Sequence, residues 1–305
     1  MEKKNLELSK TLNFNTAWSI LVAAFKNFSD NDPLRIAAAT AFFGTFAIPA
    51  ILVVILQIFG IFFNRRQFGI SIITKLQSII GEAGAQEIRH FLRNMLSLGN
   101  NWFFTILMFI FLIFVSTTLF VIIRNSINQL WFIRLKENLG FYFNFKQRLK
   151  SLLIISAGGF LLLMTFIFEG IRLYLTKMIE EPFPFLEGLI NEALFFVSVT
   201  IWFCLAFRFI ANGKPAWKPI IYSAIFTGIL LTLGKIMIRV LLLSSNINQI
   251  YGASAAILLV MLFIFYCAFI FYYGISLVSA FSDQFEKPIA VSENAFKFKT
   301  ETVDA

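Results

Sequence analysis

Charge set inside an apolar run is the first sign of chemistry in this chain. Lys235 and Arg239 stand four residues apart in PIIYSAIFTGILLTLGKIMIRVLLL. The surrounding residues predict a helix, and this spacing puts both cations on one of its faces. An ionised group in such a segment is costly and needs a partner, a ligand or a route to polar headgroups. Glu169 and Arg172, at i and i+3 near the end of another apolar run, can pair with each other or reach Lys235 and Arg239 from a neighbouring helix. Two readings stand side by side: an interhelical ion pair that fixes packing, and a cationic pocket for an anionic lipid headgroup or solute. A second set lies in RNSINQLW, where Asn125, Asn128 and Gln129 recur at i, i+3 and i+4. Such a stripe of amides hydrogen-bonds across helices or lines a polar pathway.

Other chemistries find little to work with. The single histidine, His90, falls on the polar face of an amphipathic segment, and no Cys/His cluster has metal-ligand spacing. Glu180 and Glu181 precede Pro182 in a loop, which makes a solvated turn rather than a two-metal carboxylate pair. There is no phosphate-binding P-loop. Cys204 and Cys267 both sit in apolar runs, where a thiol packs as a small hydrophobe. The expectation is a protein that is not an enzyme, with no metal and no cofactor.

The elements that must position these groups are membrane helices. Tyr251 to Phe281 is free of charge over 31 residues, where about 20 suffice to cross a bilayer. The chain is 58% hydrophobic and 14% charged and contains 40 phenylalanines, far from the roughly one-quarter charge of soluble domains. Six spans are predicted: about Ile36 to Phe63, Trp102 to Ile123, Leu152 to Ile171, Leu189 to Ile210, Pro219 to Leu243, and the charge-free segment. Pro49 lies in the first and removes a backbone donor, so a kink is expected there that opens a cavity among the helices. Gly252 and Ala256, at small-xxx-small spacing, permit close helix approach in the last.

Seventeen of the 26 Lys and Arg residues fall on one side if both termini lie inside, and the positive-inside bias favours that orientation. The net charge of +9 is accounted for by anionic lipid before nucleic acid. The partition is then a cytoplasmic amphipathic leader (1–35), a six-helix membrane domain (36–282) and a polar cytoplasmic tail (283–305). In the leader, Trp18, Leu21, Val22, Phe25 and Phe28 make an apolar face suited to lying along the membrane. An outer helical hairpin is expected over 64–100, with Ile88, Phe91, Leu92, Met95 and Leu96 apolar and Glu87, Arg89, His90 and Arg93 polar. No signal-peptide pattern begins the chain, so the first span serves as an uncleaved anchor.

Taken together, three segments resemble the YihY/BrkB family of bacterial inner-membrane proteins over roughly residues 30 to 282. They are AAATAFFGTFAIPAILVVIL, with Ala37 to Ala39, Phe43, Phe46 and Pro49; RNSINQLW, with Asn128 and Trp131; and the Tyr251-Gly252-Ala253 opening of the last helix. Relatives continue that helix with a Trp and then Gly-Ala-Glu, where this chain has Phe263 and Gly274-Ile275-Ser276. A proton or ion step that used the family's carboxylate has no ionisable group here. The resemblance implies six spans with both termini inside and a role in envelope integrity, with transport of lipid or a lipopolysaccharide precursor suggested for some members. The family's older ribonuclease label conflicts with the absence of an acid–base or metal constellation.

The sequence reading is therefore an all-α inner-membrane protein that binds or moves an anionic lipid or amphiphile. Lys235, Arg239, Glu169 and Arg172 are its expected ligand groups, Asn128 and Gln129 its lining, and Pro49, Gly252, Ala256, Gly274 and Ser276 its structural or gating positions. The competing class is a non-transporting scaffold of the envelope, whose charges serve packing alone.

Overall fold

The structure, a computed structural model, describes residues 14–59, 102–136, 184–244 and 254–298, with scattered helical positions between 69 and 93 and at 146. Helix formation follows from long runs of Leu, Ile, Phe and Ala, which have no polar side chains to compete for backbone hydrogen bonds; in lipid every backbone group must be satisfied within the segment. Helix α1 covers Phe14–Ser29, α2 Pro33–Phe59, α3 Trp102–Leu130, α4 Pro184–Phe209, α5 Trp217–Ser244 and α6 Ser254–Gln284. Among the described residues, three windows are long and apolar enough to cross a membrane: Glu192–Phe209, Trp217–Met237 and Val260–Gln284. The expected third span, 152–171, lies outside the described residues.

The helices differ from expectation chiefly at their ends. Helix α3 continues seven residues past Ile123, carrying Asn125, Asn128 and Gln129 as an extra polar turn and a half. Helix α2 runs unbroken across Pro49, so the expected break does not interrupt its helical assignment. Helix α6 starts at Ser254, which leaves Gly252 outside the described residues and places Ala256 in its first turn.

Helix α6 is the hub, packed extensively against α1, α2 and α5 and touching α3 and α4. Its inner face buries Phe271, Tyr272, Ile275 and Val278 against Phe203 and Phe207 of α4, with Phe203 and Phe207 stacked at 5.7 Å and Phe207 to Phe271 at 5.5 Å. Offset aromatic pairs of this kind add about 0.5–1.5 kcal/mol each beyond the area they bury. Gly274 is part of the fit: a Cβ there would run into Thr227 Oγ1 and lie 2.8 Å from Phe207 Cζ. The outward faces are apolar too. Ile221, Ile225, Ile229 and Leu233 make one exposed stripe on α5, and Ile106, Ile110 and Phe114 belong to another on α3. Exposed aliphatic stripes of this length suit acyl chains rather than water.

The leader helix corrects the sequence reading in a specific way. Ile20, Ala24 and Phe28 are the buried face of α1 and pack with Leu277 and the aromatic rings of α6, Phe28 lying edge-on to Phe269 at 4.8 Å. Phe28 therefore belongs to the bundle and not to the membrane-facing side. Trp18, Val22 and Phe25 remain exposed, as an interfacial face requires. Helix α1 is two-faced, docked on α6 and apolar outward. In the loop expected to form the outer hairpin, Ile88 is buried and Arg89, His90 and Arg93 are exposed helical positions; Phe91, Leu92, Met95 and Leu96 lie outside the described residues.

The described chain is mostly helical, as expected, and four short strands accompany the helices among the described residues. β1 (Ile133–Leu135) pairs antiparallel with β4 (Ala295–Lys297), and β2 (Gly213–Lys214) with β3 (Ala290–Val291). The polar segment after α6 is thereby tied to the end of α3 and to the α4–α5 turn. All of this lies at one end of the bundle.

Candidate functional site: a polar clasp and groove

At the strand-bearing end, four chain segments are joined by side-chain amides. The α1–α2 elbow turns at Asp32, whose φ of 51° is in the left-handed region that Asp tolerates better than most residues. Asn27 Nδ2 donates to Leu130 O at 3.2 Å, and Asn31 Nδ2 donates to Asn27 O at 2.8 Å. Gln129 Nε2 reaches Asn31 Oδ1 at 3.5 Å. From the other side, Asn212 N–H donates to Asn128 Oδ1 at 3.1 Å, and Asn212 O accepts from Ser292 N–H. Asn128 thus bridges α3 to the α4–α5 turn, and through it to the C-terminal strands.

Trp131 is the pin of this clasp. It is 2% exposed and donates through Nε1 to Ile275 O of α6 at 3.0 Å. The ring fills the space that Gly213 leaves open. Phe132 next adopts φ 53° and donates its N–H to Gln129 O, an αL stop for α3 built on a residue that pays strain for it.

Outside the clasp lies an open groove of about 440 Å³, lined by Asn125, Asn128, Gln129, Ile133, Arg134, Leu135 and Phe298. Arg134 sits over the Phe298 ring, 5.6 Å to its centroid, and Phe298 meets Phe132 edge-on. Among the described residues the groove contains one cation and three amides and no carboxylate. It is a polar recess with an apolar edge.

Of the four charged groups expected to form a cationic pocket, only Lys235 has its side chain among the described residues. Lys235 Nζ lies 2.6 Å from Glu192 Oε2 of α4 and 4.2 Å from the centroid of Phe195. The Lys235 side chain is 15% exposed and that of Glu192 51%. The Lys235 cation is therefore engaged by an ion pair and an aromatic face, with a carboxylate that the sequence argument did not choose. Glu192 is the one carboxylate of the predicted fourth span and could have been paired from that fact alone. Arg239 lies in α5, but its side chain, like Glu169 and Arg172, is outside the described residues. Nor are Asn128 and Gln129 near Lys235: Lys235 is eighteen residues beyond Trp217, roughly 27 Å up the axis of α5 from the clasp end.

Other predicted positions have structural surroundings. Ser276 is fully buried, and its Oγ has no hydrogen-bond partner among the described residues. One turn earlier, Tyr272 OH and Thr40 Oγ1 are 2.6 Å apart, and Thr40 also donates to Ile36 O. Among the described residues no group of three His, Cys, Asp or Glu side chains is placed to hold a metal ion.

Long apolar helices with lipid-suited outer faces and a polar clasp at one end define a helical membrane protein. The chain belongs to the virulence factor BrkB family, whose model matches residues 24–295. The match takes in the end of α1 and β3 as well as the expected segments, so the side chains of the clasp lie within it. No curated protein and no solved structure matches the chain.

Proposed function

We propose that this protein spans the bacterial inner membrane several times with both termini in the cytoplasm, and that it binds and moves an anionic lipid or related amphiphile such as a lipopolysaccharide precursor in support of envelope integrity. It acts as a binding or transport protein and not as an enzyme, and nucleic acid is not its partner. The observation that carries this reading is the groove, where Arg134 is offered beside three amides, with Ile133, Leu135 and Phe298 as apolar edge. An anionic headgroup meets cation and donors there, while its chains meet the apolar side. The positive-inside bias puts this end at the cytoplasmic leaflet. A scaffold role is the second reading, favoured by the Lys235–Glu192 pair, which serves packing alone.

Reconstitution tests the choice. Purified protein in proteoliposomes is expected to accelerate exchange of a fluorescent anionic lipid between leaflets over protein-free vesicles, and to retain anionic lipid on extraction. Exchange equal to that of empty vesicles, with no anionic lipid retained, refutes the transport reading and leaves the scaffold.

A further inference from the structure

We infer that the groove is built for a phosphate group, held by Arg134 with the amides of Asn125, Asn128 and Gln129. This rests on the reading that the groove takes an anionic head and specifies which anion. Phosphate groups carry two or three terminal oxygens spread in space, and they are best met by donors arriving from several directions. Here the guanidinium comes from β1 and the amides from the last turns of α3. A carboxylate has two coplanar oxygens that one guanidinium satisfies alone, leaving the amides unused.

The side chains are prepared as donors. Asn128 Oδ1 is occupied by the Asn212 N–H, which turns Nδ2 to the remaining side. Gln129 Nε2 makes only a 3.5 Å contact with Asn31 Oδ1, so it can be drawn to a stronger acceptor at little cost. Arg134 Cζ lies over the Phe298 ring, 5.6 Å from its centroid, and a guanidinium held over an aromatic ring still has N–H donors to offer two oxygens. No carboxylate among the described residues pairs with it.

One feature of the fold opposes an anion here, and the clasp lessens it. The C-terminus of a helix carries partial negative charge on its free carbonyls. Of the last four carbonyls of α3, three are taken: Ile127 O by Trp131 N–H, Gln129 O by Phe132 N–H and Leu130 O by Asn27 Nδ2. The clasp thus shields the groove from the carbonyls that would repel a phosphate.

The phosphate can come from a lipid headgroup or from solution, and the test separates them. Detergent-solubilised full-length protein is offered dioctanoyl phosphatidic acid, a carboxylate amphiphile of matched chain length, or inorganic phosphate, with binding read by native mass spectrometry and by competition. Phosphatidic acid is expected to bind at least tenfold tighter than the carboxylate, and inorganic phosphate to displace it. Arg134→Gln should cut phosphatidic acid binding tenfold or more, and Asn125→Ala severalfold. Phosphatidic acid binding more tightly than inorganic phosphate assigns the site to lipid; equal affinity assigns it to soluble phosphate. Equal binding of the carboxylate amphiphile overturns the phosphate inference while the anionic-amphiphile reading stands. Phosphate binding unchanged in Arg134→Gln and in Asn125→Ala removes it from this groove. Failure of every anionic amphiphile to bind ends the underlying reading instead.

Discussion

Replacing Gly213 with alanine is the sharpest way to ask whether the clasp holds the protein together. A Cβ at Gly213 would stand 2.6 Å from Trp131 Cε3, 2.8 Å from Ile289 Cγ2 and 2.9 Å from Ile133 Cδ1. Real Cβ atoms essentially never come within 3.0 Å of another heavy atom, and ordinary contact begins at 3.4 Å. Three neighbours from two segments must therefore retreat together, and Trp131 must retreat furthest. Trp131 is also held at 3.0 Å to Ile275 O, so a shift of most of an ångström carries that bond past hydrogen-bonding distance. Overpacking of this kind costs about 1–3 kcal/mol, and the lost hydrogen bond with its stranded carbonyl adds about 1 kcal/mol or more. The expected loss is about 2–4 kcal/mol, read as a fall in melting temperature of several degrees for the detergent-solubilised protein. Trp131→Leu makes room at the same site, so adding Gly213→Ala to it should cost much less than Gly213→Ala alone. A melting temperature unchanged by Gly213→Ala, or costs that simply add in the double variant, would refute the pinned clasp.

Further outcomes follow from other contacts. Glu192→Gln leaves Lys235 without its counter-ion in an apolar setting and should destabilise by about 1–3 kcal/mol. Lys235→Met should cost less, and it should leave lipid retention at the wild-type level; loss of lipid in that variant would restore the pocket at Lys235. Tyr272→Phe removes the hydroxyl shared with Thr40 and should cost about 1 kcal/mol in chemical unfolding, since Thr40 keeps its bond to Ile36 O. Phe298→Ala takes away the ring beneath Arg134 and beside Phe132, and limited proteolysis of the C-terminal segment should quicken; an unchanged digestion rate would show that the β1–β4 pairing needs no help from that ring.

The helices were legible because apolar runs in lipid have only one way to satisfy their backbones. The end of α3 was less so. Its amides were visible as a stripe, but a stripe on one helix does not say what lies opposite. Asn128 finds its partner 84 residues away at Asn212, and Asn27 finds Leu130 at a distance of 103. Such pairings depend on how helices are arranged about α6, which no local period encodes. The strands were invisible for a related reason: two- and three-residue segments have no alternation to detect, and here they are fixed by Trp131, Ile289 and the Asn212 carbonyl rather than by their own propensity. Phe28 was misplaced by the same limit. An apolar residue on an amphipathic helix is equally at home against lipid and against a neighbouring helix, and only the position of α6 separates the two.

The displacement of the candidate site from Lys235 to the groove has a physical logic. A lone cation within a span must be neutralised for the protein to fold in lipid, so the charge that stands out most in such a sequence is the one packing is most apt to consume. Lys235 illustrates this, held by Glu192 and Phe195. A cation at the headgroup level carries no such obligation. Arg134, one of many basic residues outside the spans and unremarked for that reason, lines the groove beside Asn125, Asn128 and Gln129 with its guanidinium carbon over Phe298. Ser276 fits the same division: where the family resemblance expects a carboxylate, this chain has a small hydroxyl one residue after Ile275, whose carbonyl receives the Trp131 N–H. An ionised group at that fully buried position would itself need neutralising beside the clasp. Without one, the described core of the bundle is left to packing, and the anion recognition proposed for this protein falls to its polar end.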